Sequence, residues 1–235
     1  MALGRPLDHT LARASTLQPT STLAGVLPPI PPEEVLPKFE AEWTKVAGVA
    51  HRAANRQKLE EILSAILSQA DAKNVVLSRN PILKELGLEA LLRGWGKGVT
   101  AWPAPWDGGI PIGEASRRAF AEASFAATVG ITGVEYALAE TGSLVVASRT
   151  EGAQLASLAP PVHIALYRRS QLLATLDEVL ERLRVAFAPG EAASGRSVVF
   201  ITGTSRTADI EQILIRGVHG PGEVHAILVE ADCVA

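Results

Sequence analysis

Apolar runs that alternate with amphipathic stretches are the feature that most constrains the fold of this chain. Short runs rich in apolar and β-branched residues lie at 74–79, 161–169 and 223–230. A strand that is apolar along its whole length must be covered on both faces, which is typical of parallel sheets. The pattern therefore predicts an α/β fold with a largely parallel sheet that helices cover on both faces.

Amphipathic stretches between these runs predict the helices. In residues 55–70, Asn55 can serve as the N-cap, and the apolar residues recur on one stripe. These are Leu59, Ile62, Leu63, Ile66 and Leu67. A second stretch begins with Thr175 and Glu178 at the spacing of a capping box. A third, beginning at Ser116, predicts a helix that ends at Gly130.

The domain organisation follows from length and composition. At 235 residues and 47% hydrophobic, the chain can bury one full core. Residues 1–32 are rich in Pro, Ser and Thr and end in a proline cluster that blocks both helix and paired strand. We expect an N-terminal tail over 1–32 and one α/β domain over 33–235.

Charge, cysteine count and hydropathy exclude several classes of function. The net charge of −3 provides no broad positive field for nucleic acid. Cys233 is the single cysteine, so this chain alone holds no disulfide and no thiolate cage for zinc or iron–sulfur. No run approaches the ~20 apolar residues of a membrane span. We expect a cytoplasmic protein without a cofactor or metal of its own, and without nucleic-acid or membrane partners.

The segment after the apolar run at 198–201 is crowded with polar residues and is the first candidate site. We expect a strand, a turn at Gly203 and then a helix, a layout in which backbone N–H groups attract anions. Hydroxyl and guanidinium groups there suit a carboxylate or phosphate. The predicted ligand-binding residues are Thr202, Gly203, Thr204, Ser205, Arg206, Thr207 and Asp209. Alternatively, a hydroxyl only caps the helix while Arg206 pairs with Asp209 or Glu211.

The loop at 216–225 returns the chain to its last strand and is rich in glycine. His219 lies at its tip, where it could hydrogen-bond an oxyanion or move a proton, and Gly220 joins the predicted ligand-binding set. An imidazole that bonds only its own loop is the alternative. His219, His225 and Cys233 match no recurrent zinc spacing, so we expect no metal.

Glu140 is the second candidate for catalysis. It lies where two predicted strands, in residues 133–148, meet at Glu140-Thr141-Gly142. A carboxylate between apolar strands could act as a base or nucleophile. Alternatively, the same three residues form an ordinary hairpin turn in which Glu140 faces water. The tryptophan-rich loop at 95–106 could be a lid or docking surface, or could be anchored to the core.

Three ordered motifs resemble the lactate-utilisation domain family, in particular its short protein C members. They are GITGVEYALAETGSLVV (130–146), LAPPVHIALY (158–167), and ITGTSRTADIE with GVHGP (201–221). The resemblance implies a fold like that of the glucosamine-phosphate isomerase, ribose-phosphate isomerase and coenzyme A transferase group. It also implies a cytoplasmic role in oxidising L-lactate to pyruvate, beside iron–sulfur partner subunits A and B.

The resemblance names a pathway more firmly than a reaction. We expect a non-redox subunit that binds a small carboxylate or phosphate anion and is not active alone, with Arg206 as the clamp. One alternative is a stand-alone acyl-transfer or sugar-phosphate enzyme in which Glu140 is the nucleophile or base. Another is a purely structural assembly subunit.

Overall fold

The computed structural model describes residues 29–103, 113–152, 154–186, 197–207 and 215–233. Residues 32–235 form one compact unit, to which the elements below belong. The tail predicted for residues 1–32 lies almost entirely outside the described residues, so this division of the chain stays a prediction.

The main sheet has six parallel strands in the order β1-β12-β7-β4-β2-β3. Their bounds are β1 (Val49–Ala53), β2 (Asn74–Leu77), β3 (Gly98–Ala101), β4 (Val129–Thr132), β7 (Val162–Tyr167) and β12 (Glu223–Val229). Every residue of β4 and β7 is buried, as expected for inner strands of a sheet that is covered on both faces. The predicted α/β class is confirmed.

Eight α-helices occur within the described ranges. They are α1 (Pro32–Lys45), α2 (Arg56–Gln69), α3 (Pro81–Glu85), α4 (Leu88–Gly94), α5 (Glu114–Ala126), α6 (Ser148–Glu151), α7 (Leu155–Leu158) and α8 (Leu176–Ala186). Helix α2 follows its sequence pattern, since the Asn55 side chain accepts from Lys58 N at 2.9 Å and the five predicted stripe residues are buried. None of the described helices combines the length and apolarity needed to cross a bilayer.

Helices pack on both faces of the main sheet. On one face, residues of α2, α3 and α4 form a core with Ile131, Ile164 and Ile227. On the other, Phe39 and Trp43 of α1 pack with Ala165 and Tyr167 of β7. Helix α5 adds Phe120 to that second face, over Val76 of β2.

A second sheet, which the sequence did not predict, lies beside the core that contains Phe39 and Trp43. Its order is β8 (Leu172–Leu173), β5 (Tyr136–Leu138), β6 (Ser143–Ala147) and β9 (Val198–Ile201). The hairpin predicted around Glu140 is the β5–β6 pair, with Gly142 at φ 61°. The helix predicted to end at Gly130 was wrong at that boundary, because α5 ends at Ala126 and Gly130 lies within β4.

The sequence also predicts a helix after Gly203, but Arg206 and Thr207 do not form one. Strand β9 pairs antiparallel with β6, outside the parallel sheet. The chain then continues as β10 (Arg206–Thr207), which pairs antiparallel with β11 (Ile215–Arg216). The backbone N–H groups of a helix start are therefore not offered at these two residues.

Candidate functional site

The carboxylate of Glu140 has a structural use. Its Oε2 accepts a hydrogen bond from the backbone N of Leu176 at 2.8 Å, at the first turn of α8. Its own backbone N donates to Ala174 O at 3.0 Å. A carboxylate at a helix start satisfies a free N–H group and complements the helix dipole. A catalytic role for Glu140 stays a prediction.

Thr202 lies next to the Glu140 turn. Ser143 Oγ is 2.7 Å from Thr141 Oγ1 and 2.7 Å from Thr202 Oγ1, which makes a chain of three hydroxyls across the second sheet. The two candidate sites, far apart in sequence, thus meet at this point. The hydroxyl of Thr202 is engaged with the sheet by that contact.

Gly203 and Thr204 pack against the turn that follows α1. Gly203 has φ 77°, and a Cβ at this position would overlap the carbonyl oxygen of Val46. Thr204 is buried, and its backbone N donates to the same oxygen at 3.4 Å. The conformational freedom of Gly203 therefore allows close packing of two backbone segments. A ligand-binding role for Gly203 stays a prediction.

The remaining predicted site residues border two adjoining loops. Ser205 N donates to Pro221 O at 2.9 Å, which brings Ser205 beside Gly220. The side chains of Arg206 and His219 are exposed. Arg206 faces Arg216 across the β10–β11 pair, while Thr207 is half-buried opposite residue 215. Asp209 lies outside the described residues, so its predicted role has no structural account.

A polar cluster that sequence reasoning missed lies at the carboxyl ends of β2 and β4. Ser78, Arg79 and Asn80 follow β2, and Gly133 follows β4. Glu151, at the end of α6, is fully buried among them. Because ligands of parallel α/β sheets bind at the carboxyl ends of strands, this edge of the sheet is the place to look for a site.

Glu151 joins the two strand ends through its carboxylate. Oε2 accepts from Ser78 Oγ at 2.5 Å and from Gly133 N at 3.1 Å, while Oε1 accepts from Asn80 Nδ2. Burial raises the pKa of Glu151, and the hydrogen bonds from Ser78 and Asn80 offset that effect only in part. The carboxyl group is thus a buried linker that positions the 78–80 segment.

Asn80 is held on both sides of its amide group. Its Oδ1 accepts from Ile82 N at 3.1 Å and caps α3, which begins at Pro81. Gly133 packs so closely on this amide that a Cβ there would overlap it. The start of α3 is therefore fixed relative to Glu151.

Arg79 carries positive charge into the same region. Its guanidinium donates to Ser148 O at 3.2 Å and to Arg149 O. Burial lowers the pKa of Arg79 to about 10, so the side chain remains charged at neutral pH. Beside it, Arg149 forms an ion pair with the buried Glu135.

A cavity of about 500 Å³ opens next to this cluster, between the ends of β2 and β3 and helices α3 and α4. Three cationic side chains line it, namely Arg79, Lys84 and Arg93, against the single carboxylate of Glu89. Arg93 pairs with Glu89 at 3.0 Å. Lys84 forms no ion pair with any residue of the described ranges. The cavity therefore carries an excess of positive charge, which favours an anionic ligand.

His51 and His225 lie elsewhere, on neighbouring strands of the main sheet. His51 Nε2 is 3.0 Å from His225 Nδ1, and His225 Nε2 is 2.8 Å from Glu223 Oε1. Burial lowers the pKa of both His51 and His225. Cys233 donates from Sγ to Ala53 O at 3.2 Å. In the part of the chain that is described, no three His, Cys, Asp or Glu side chains form a group able to hold a metal ion.

One sequence signal could have led to the missed cluster. The apolar run at 74–79 includes Ser78 and Arg79, yet the strand ends at Leu77. Polar residues directly after an inner parallel strand lie at the ligand-binding edge of a sheet. The contact with Glu151, which is 73 residues away from Ser78, has no local signal.

Comparison with known proteins agrees with this fold. The sequence pattern of the LUD domain matches residues 36–229. "Lactate utilization protein C" of Halalkalibacterium halodurans is 31% identical over 74% of this chain and 70% of its own length. The protein of the same name from Bacillus subtilis is 32% identical over 73% of this chain and 68% of its own length. "Uncharacterized protein YkgG" of Escherichia coli is 31% identical over 75% of this chain and 71% of its own length.

A solved structure supports the same architecture. The crystal structure of a DUF162 family protein from Deinococcus radiodurans superposes with a TM-score of 0.58 at 20% identity. The superposition covers 86% of this chain and 100% of the other. At this identity the likeness concerns the fold.

Proposed function

We propose that this chain, which belongs to the LUD domain family, serves lactate utilisation as a non-redox subunit that binds a small carboxylate or phosphate anion. The relatives named for lactate utilisation support the pathway. The anion-binding role is supported by the geometry at the carboxyl edge of the main sheet.

The cavity beside β2 and β3 is the observation that carries the proposal. It lies where parallel α/β sheets bind ligands, and Lys84 and Arg79 bring positive charge to it. The hydrogen bonds of Glu151 hold the 78–80 wall in place. A carboxylate or phosphate that enters would meet a cation whose charge no described carboxylate already neutralises, namely Lys84.

Electron transfer is assigned to partner subunits in this proposal. Oxidation of lactate to pyruvate releases two electrons and two protons, and those electrons need an acceptor. Cys233 is the only thiol of this chain, and an iron–sulfur cluster requires several. The clusters would therefore reside on partner subunits, here called A and B, and this chain would bind or position the anion.

A lactate-oxidation assay with matched variants tests the proposal. Deletion of this chain from a strain that grows on L-lactate should abolish pyruvate formation from lactate, and the wild-type gene should restore it. Lys84→Ala should lower the rate at limiting lactate about tenfold, because a charge-assisted contact to the anion is lost. Lys73→Ala, an exposed lysine outside the cavity, should behave as wild type. Lactate oxidation that continues unchanged without this chain would disprove the role.

Arg206→Ala in the same assay compares the cavity with the predicted loop site. If the cavity binds the anion, Arg206→Ala should restore oxidation fully while Lys84→Ala does not. The reverse result would assign the anion site to the loop at 202–207. Full activity of both variants would leave this chain a structural subunit without an anion role.

A further inference from the structure

The cavity beside β2 and β3 is much larger than lactate. Its volume is about 500 Å³, within the range of roughly 300–1,000 Å³ that is typical of pockets for larger organic ligands. Lactate has about six non-hydrogen atoms and occupies on the order of 100 Å³, judged from the ~30 Å³ share of one water molecule. A lactate ion alone would leave most of the space filled with water.

The walls of the cavity are largely apolar. Side chains of β2, β3, α3 and α4 contribute to them, and these are Leu77, Leu83, Leu88 and Ala101. Trp102 adds a flat aromatic surface at the end of β3. Apolar walls gain free energy when an apolar group displaces water from them, so they favour a ligand that has an apolar body.

Trp102 is held rigidly. Its ring meets that of Phe120 edge-on, with centroids 4.9 Å apart and an interplanar angle of 88°. Its pyrrole edge packs against Gly152, where a Cβ would overlap the indole. Because the indole is fixed by these contacts before any ligand arrives, it can offer a preformed wall for a ring.

The charged groups define the other end of the ligand. Glu89 pairs with Arg93, whereas Lys84 lines the cavity and forms no ion pair within the described ranges. Cationic side chains beside apolar walls match a molecule with an anionic head and an apolar or aromatic body.

We infer that this cavity takes a carboxylate or phosphate carried on an aromatic or apolar body larger than lactate. The inference rests on the proposed function for the location of the anion site, and it adds the class of ligand. It concerns the occupant of the cavity, whereas the proposed function concerns the pathway that the chain serves.

Two pairs of ligands, each with the same kind of anionic group but with and without a ring, separate the contribution of the anionic head from that of the apolar body. Binding of L-lactate, 3-phenyllactate, inorganic phosphate and AMP to the full chain is measured by isothermal titration calorimetry. Phenyllactate should bind at least about tenfold more tightly than lactate, and AMP at least about tenfold more tightly than phosphate, because the ring buries apolar surface. Equal affinities within both pairs would overturn the inference.

Two variants that add the same ring, one inside the cavity and one outside it, test where the aromatic probes bind. Ala90 is an exposed alanine of α4 that lines the cavity, so Ala90→Phe adds a ring inside it without touching the core. Ala65→Phe places the same ring on an exposed position of α2 outside the cavity. Ala90→Phe should abolish the advantage of phenyllactate over lactate, whereas Ala65→Phe should preserve it. Equal behaviour of the two variants would show that the aromatic probes bind elsewhere.

Failure of this inference and failure of the proposed function give different results. Rescue of lactate oxidation by this chain together with no preference for aromatic probes would sustain the function and refute the ligand class. A clear preference for aromatic probes without any effect of this chain on lactate oxidation would sustain the ligand class and refute the pathway. No binding of any of the four probes would refute the assigned cavity.

Discussion

Truncation of the buried carboxyl group at Glu151 tests the polar network most directly. Glu151→Ala leaves Asn80 Nδ2 and Gly133 N without their acceptor, whereas the hydroxyl of Ser78 can rotate toward another group. Each stranded buried donor costs about 1–3 kcal/mol, and the space left by the side chain adds to this. The free energy of unfolding should therefore fall by about 3–5 kcal/mol.

Thermal unfolding followed by circular dichroism measures this loss. For a chain of this size, 1 kcal/mol corresponds to about 2–4 °C, so the Tm should fall by roughly 6–20 °C. Glu140→Ala is the control, since it removes one hydrogen bond of 2.8 Å at the start of α8, worth about 1 kcal/mol. Equal shifts in Tm for the two variants would refute the view that Glu151 links the strand ends.

The pH dependence of stability provides an independent check on the same group. Burial raises the pKa of Glu151 above its ordinary value of 4.5, so the folded protein holds a proton that the unfolded chain has already released. The free energy of unfolding should then fall as the pH rises from 4.5 through the raised pKa. Glu151→Gln lacks this titration, so its stability should not show that fall. If urea unfolding gave parallel profiles of the free energy of unfolding against pH for wild type and Glu151→Gln, the assignment of this titration to Glu151 would be contradicted.

Three further predictions concern other parts of the chain. Gly203→Ala should lower stability by at least about 2 kcal/mol, because it adds a Cβ at φ 77° against the Val46 carbonyl. Gly87→Ala, at φ 58° in open space, should cost about half as much in the same melts. Burial lowers the pKa of His163 to about 3, so wild type should lose stability as the pH falls from 6.5 toward 3, and His163→Gln should flatten that slope. The purified chain should show no visible absorption band from a cluster, since Cys233 is its single thiol, and a stoichiometric band would disprove this.

Elements whose physics is local could be predicted from the sequence. Helix α2 begins at an Asn55 cap and buries a stripe at helical spacing, and both features depend on residues within a few turns. The Glu140–Gly142 turn forms because Gly142 adopts a positive φ that the hairpin requires. Apolar runs such as β7 predict inner parallel strands because both of their faces need cover.

Boundaries and sheet membership could not be predicted in the same way. The sequence pattern predicts a helix end at Gly130, yet Gly130 lies in β4, where a Cβ would overlap the Ala156 backbone. The local sequence around a glycine looks the same at a helix end and within a strand, and only the packing distinguishes the two cases. Strand β9 is similar, since nothing within Val198–Ile201 tells whether it joins the parallel sheet or pairs antiparallel with β6.

By itself the sequence determined the α/β class and the family, because both depend on patterns that persist along the chain. Only the tertiary structure decided where the candidate site lies. Ser78 and Glu151 are 73 residues apart in the chain, yet Ser78 Oγ lies 2.5 Å from Glu151 Oε2. Their contact exists because β2 and β4 are neighbours in the sheet and α6 places its last residue at their carboxyl ends. The crowded segment after β9 has the stronger local signal, and its binding role stays a prediction, while Gly203 in it packs on Val46. The charged cavity at β2 and β3 arises from the long-range pairing of strands, which no local pattern predicts.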